Sequence, residues 1–123
     1  MNIKIVKQMA AQGDVLFRRV KSMPAGVKEV SREDGALVVA HSETGHHHLV
    51  MAEGVQMFDH PTDPLVRFLR VPAQLADGVD VTHHRPWDTH ATLRLLGDSK
   101  GETIYEVRRQ REYTPEGWRR VED

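Results

Sequence analysis

The chain has 123 residues, no cysteine and a net charge of -1. The missing cysteines exclude disulfide scaffolds, thiol catalysis and zinc fingers, and no apolar run approaches the roughly 18 residues that a membrane-crossing helix needs. Apolar residues at 39% and charged residues at 28% match a folded globular protein, and the length suits one β domain over residues 1–123. The opening Met1-Asn2-Ile3-Lys4-Ile5-Val6-Lys7 lacks the apolar segment of a signal peptide, so a cytoplasmic location with no membrane partner is expected.

Apolar residues recur in short runs bounded by Gly, Pro, Asp and Asn, the pattern of strands rather than of amphipathic helices. In chain order the predicted strands are Ile3 to Met9, Asp14 to Val20, Ala36 to His41, His47 to Met51, Leu65 to Val71, Val79 to His83, Ala91 to Leu96, Thr103 to Tyr113 and Trp118 to Val121. One short helix is allowed around Pro72 to Asp77. The strand from Ala91 is expected to pair with the strand from Thr103 as a hairpin through Gly97-Asp98-Ser99-Lys100-Gly101, its glycines taking the positive φ of a tight turn. Ala91, Leu93, Leu95, Tyr105 and Val107 then face the core. Many short strands in one domain of this size predict an all-β fold, a compact sandwich or a barrel.

Charge is unevenly placed. Residues 1–28 carry six Lys/Arg against Asp14 alone, whereas residues 29–99 carry five against eleven acids and contain all eight histidines, from His41 to His90. An acidic surrounding favours cations over phosphate and tilts a histidine cluster toward metal.

The most informative stretch is His41-Ser42-Glu43-Thr44-Gly45-His46-His47-His48. On an extended chain His46 and His48 share one face and His47 takes the other, so the H-x-H pair can chelate one ion. With Glu53 and Gly54 the stretch reads G-H-x-H-x4-E-G. This resembles part of the first motif of the cupin family, whose β-barrels hold a divalent metal through two histidines, a glutamate and a later histidine. The resemblance implies a cupin-like or jelly-roll-like architecture.

A second cluster is Thr82-His83-His84-Arg85-Pro86-Trp87-Asp88-Thr89-His90. Alternation from Val79 and Val81 turns His83 inward and His84 outward, and His90 enters the next strand. Together with Gln12-Gly13-Asp14-Val15-Leu16 and the closing Arg109-Gln110-Arg111-Glu112-Tyr113-Thr114-Pro115-Glu116, the T-G-H-x-H and T-H…H segments resemble a group of short bacterial and phage-associated proteins without an assigned activity.

The leading expectation is one divalent transition metal (Zn, Fe, Ni or Mn) held by His46, His48, His83 and His90, with His41 and Glu43 as substitutes or supporting groups, serving a hydrolase or oxidase of a small molecule. Two other readings stay open. One is a metal-independent phosphodiesterase or RNA-processing protein with two histidines as acid and base and Arg85, Arg109 or Arg111 on the phosphate. The other is a non-catalytic, phage-associated binding module whose strand edges pair with a partner or form a homo-oligomer. Nucleic acid is not favoured as a partner, because Glu106, Glu112 and Glu116 offset the Arg108-Arg109-Gln110-Arg111 ridge.

Overall fold

The computed structural model describes residues 2–41, 47–83 and 91–109, together with the backbone of 111–114 and 117–120. Two antiparallel-rich sheets pack face to face as a sandwich and do not close into a barrel. One sheet orders its strands β1 (Ile3–Val6), β10 (Thr92–Leu95), β9 (Val79–Thr82), β6 (His48–Val50) and β5 (Leu37–Ala40). The other runs β2 (Met9–Gln12), β3 (Val15–Val20), β11 (Thr103–Arg109), β8 (Val66–Val71), β7 (Gln56–Asp59) and β4 (Lys28–Val30). A separate hairpin pairs β12 (Arg111–Thr114) with β13 (Gly117–Arg120).

Alternation explains the layers. Val79 and Val81 on β9, Leu93 and Leu95 on β10, and Tyr105 and Val107 on β11 are buried, each two residues apart. They meet Phe17, Val15, Leu69 and Val71 in one continuous core between the sheets. A second, smaller cluster of Phe58, Val66 and Phe68 lies apart from it, and Val20, Met23, Val27 and Ile104 pack against it. The expected short helix is a single 3-10 turn at Ala73–Leu75.

The run from Thr103 to Tyr113, expected as one strand, is divided between β11 and β12, which belong to different sheets. The run from Ile3 is two strands: β1 pairs with β10 in parallel, and after Lys7-Gln8 the chain passes to the other sheet as β2. Lys28–Val30 and Gln56–Asp59 are strands that the sequence did not signal.

The expected hairpin between β10 and β11 does not form. β10 pairs with β9 and β1, and β11 pairs with β3 and β8, so Gly97 to Gly101 carries the chain from one sheet to the other as an arch. Leu93 and Leu95 therefore belong to the layer opposite Tyr105. The Tyr105 hydroxyl reaches across to donate to the Leu96 carbonyl at 2.6 Å. Gly97 and Gly101 are not among the glycines with positive φ. Gly97 is required by a close approach instead, since a Cβ there would lie 3.1 Å from the Ala76 Cα and 3.3 Å from the Val71 Cγ1.

Candidate functional site

The site begins at a two-residue turn. β2 and β3 are joined by Gly13-Asp14, with Gln12 paired to Val15. Gly13 has φ +60°, and a glycine with positive φ at the first central position suits the tight turns that join twisted strands. Gln12 before the turn and Asp14 within it are both buried, at 2% and 8% exposure.

On the facing sheet β6 and β9 run antiparallel with Leu49 opposite Thr82, which brings His48 beside His83 one residue further on. Both imidazoles are buried, at 0% and 1% exposure. Their rings stack with centroids 3.8 Å apart and planes 19° from parallel. The inward direction read for His83 from alternation is the observed one.

Gln12 crosses between the sheets to meet them. Its Nε2 donates to the Val81 carbonyl and to the Ala91 carbonyl, both at 2.9 Å, and its Oε1 lies 2.8 Å from the His48 Nδ1. The other ring nitrogen, Nε2, faces the Asp14 carboxylate at 3.8 Å. That spacing is too long for a direct hydrogen bond. A tetrahedral ion bound to both atoms would set them about 3.4 Å apart, a few tenths of an ångström closer than they lie here.

Of the remaining expected ligands, His41 is the one among the described residues. His41 is exposed, with its Nε2 3.3 Å from Glu33 and its ring edge-on to His47 at 4.9 Å. Glu43, His46 and His90 lie outside the described residues. The residues flanking their segments, namely His41, His47, His83 and Ala91, belong to the sheet end that holds His48. Among the described residues no group of three or more His, Asp or Glu is arranged to hold a metal. Glu53 sits in the turn between β6 and β7, away from any strand.

Sequence reasoning missed Gln12 and Asp14, which come from a turn more than thirty positions before His48. The buried end of an otherwise ordinary strand pair was the missing signal, and only the packing of the two sheets supplies it. Asp80 lies on β9 and receives Arg94 in a two-pronged ion pair at 2.7 and 3.0 Å. The Arg108 side chain is exposed to the Glu106 and Asp63 carboxylates, so that part of the basic ridge is partly neutralised.

Fold and site together define a two-sheet β-sandwich with a stacked, buried histidine pair at one end. The chain belongs to a family described as a domain of unknown function (DUF8820), whose model matches residues 11–110. That span contains Gln12, Asp14, His48 and His83 and stops before the β12–β13 hairpin. The match is not to the cupin family, so the ten-residue likeness to the cupin motif extends no further than the all-β character. No curated protein and no solved structure matches the chain.

Proposed function

We propose that the chain is a small metal-binding protein that takes one divalent transition metal between the His48 Nε2 and the Asp14 carboxylate. The observation that supports this is the pair itself: a buried imidazole nitrogen facing a buried carboxylate across 3.8 Å, a gap that one ion would bridge after the two side chains close by a few tenths of an ångström. His46 and His90 are the proposed remaining ligands, because their segments start and finish at this end of the sheet. His83 takes part by stacking on His48. In nearly parallel rings the in-plane lone pairs do not converge on one point, so joint chelation by His48 and His83 needs one ring to turn.

A mixed nitrogen and oxygen set suits Zn, Fe, Ni or Mn. An ion held there with an open position would polarise a small-molecule substrate or bound water, and hydrolysis or metal-dependent oxidation is the proposed chemistry. A thermal-shift titration with zinc and manganese tests the binding. Saturation to 100 times Kd stabilises the native state by about 2.7 kcal/mol. The rise in Tm is expected in the wild type and in His60→Ala, and is expected to vanish in His48→Ala and Asp14→Asn. No shift in the wild type with zinc, iron, nickel or manganese contradicts the reading.

A second reading takes the same facing pair, His48 and Asp14, as a metal-free acid–base pair. That reading requires turnover of a substrate to persist in chelator and to be lost in Asp14→Asn.

A further inference from the structure

We propose that Gln12 is a positioning residue that fixes His48 as its Nδ1–H tautomer and thereby reserves Nε2 as the nitrogen that can accept a proton or a metal. The inference deepens the metal reading by naming what aims the ligand, and it is tested first in protein without metal.

The orientation of the Gln12 amide follows from its donors. A glutamine side chain has two N–H donors on one atom and a carbonyl acceptor on the other. Both donors are engaged by backbone carbonyls that can only accept, Val81 on β9 and Ala91 ahead of β10, each at 2.9 Å. Turning the amide over would set Oε1 against those two carbonyl oxygens, three acceptors together in a buried place. The amide is therefore held with Oε1 toward His48, 2.8 Å from Nδ1. A carbonyl oxygen at that distance needs a hydrogen from the ring, so Nδ1 carries the proton.

In the neutral ring the lone pair then belongs to Nε2, which is the atom facing Asp14. Histidines that ligate metals commonly donate their other ring N–H to an oxygen acceptor, which fixes the tautomer and the ring plane. Gln12 occupies that place here. The same side chain ties the Val81 carbonyl on β9 to the Ala91 carbonyl ahead of β10.

Two variants separate these roles. Gln12→Met keeps the length of the side chain and removes both donors and the acceptor. Gln12→Glu keeps an acceptor for Nδ1–H and replaces the two-donor amide nitrogen with an oxygen that must carry a proton to stay beside the Val81 and Ala91 carbonyls. Full-length protein labelled with 15N in histidine, stripped of metal and held at mildly alkaline pH, reports the tautomer through long-range proton–nitrogen correlations.

The expected wild-type spectrum has a protonated Nδ1 and an unprotonated Nε2 on His48. Gln12→Glu should keep that pattern, and Gln12→Met should lose it. Zinc affinity, read by competition with a chromogenic chelator, should fall about 10- to 100-fold in Gln12→Met. A wild-type His48 with its proton on Nε2 overturns the proposal, as does an unchanged Nδ1–H pattern in folded Gln12→Met. Should Gln12→Met fail to fold, the wild-type and Gln12→Glu spectra decide, and loss of the pattern in folded Gln12→Glu counts against the role of Oε1. A wild type with the expected tautomer and no zinc affinity supports the assignment of Gln12 while contradicting the metal reading.

Discussion

Replacing Tyr105 with phenylalanine tests the arch between β10 and β11 and the contact between the two sheets. Tyr105 is fully buried on β11. Its hydroxyl donates to the Leu96 carbonyl at 2.6 Å and lies 3.4 Å from the Val6 carbonyl. Tyr105→Phe removes one atom and leaves the ring packing intact. The Val6 carbonyl keeps the Leu96 amide at 2.9 Å, so one carbonyl, that of Leu96, loses a partner. One net hydrogen bond and one partly desolvated acceptor amount to about 1–2 kcal/mol. For a domain of this size the Tm should drop by about 3–8 °C. Urea unfolding should show a lower midpoint with an unchanged slope.

The pH dependence adds a sign. Burial pushes the Tyr105 phenol above its ordinary value, against a smaller opposing effect from the nearby Arg19 charge. The stability carried by the neutral phenol is present below about pH 10, the ordinary tyrosine value. It is lost as pH rises from there through the folded value, because the unfolded phenol releases its proton first. The gap between wild type and Tyr105→Phe should therefore be constant at neutral pH and shrink above pH ~10. A change below about 0.3 kcal/mol, within the scatter of a surface substitution, would refute the cross-sheet bond.

Other consequences are equally direct. Gly97→Ala should destabilise by about 1–3 kcal/mol through overpacking, because the new Cβ meets the Ala76 backbone at 3.1 Å; a neutral result in chemical denaturation would mean that the close approach is absent. Phe17→Ala, at 0% exposure in the main core, should cost about 3–5 kcal/mol, and a cost below 1.5 would be inconsistent with that burial. His83→Leu keeps volume against His48 but removes the stacked imidazole, and it should weaken zinc binding less than His48→Ala does; equal loss in a calorimetric titration would make His83 a ligand rather than a stacking partner.

Much of the fold was legible because half-buried strands alternate. Val79 and Val81, Leu93 and Leu95, and Tyr105 and Val107 declare their inward faces by spacing alone, and His83 inherits its direction from the first of these pairs. Gln56–Asp59 escaped notice because Met57 and Phe58 are both buried, Met57 in the main core and Phe58 in the cluster against which Met23 and Val27 pack. Covering both faces of a strand erases its period. Lys28–Val30 carries little apolar signal because it is an edge strand with two exposed residues.

Local sequence also fails to tell a hairpin from an arch: a glycine-bounded turn between two alternating runs fits either, and only the partners β9, β3 and β8 decide. The site was half legible for a related reason. The histidines stand out by their number, whereas Gln12 and Asp14 matter only because a tight turn of one sheet is packed against the end of the other.

The most direct test of the metal reading is the metal content of protein purified without an affinity tag or nickel resin, since His46-His47-His48 can itself scavenge nickel. About one equivalent of a single transition metal per chain is expected, as one four-coordinate site requires, and it should be lost in both His48→Ala and Asp14→Asn. Metal-free protein that gains no stability from added zinc, iron, nickel or manganese would contradict the account.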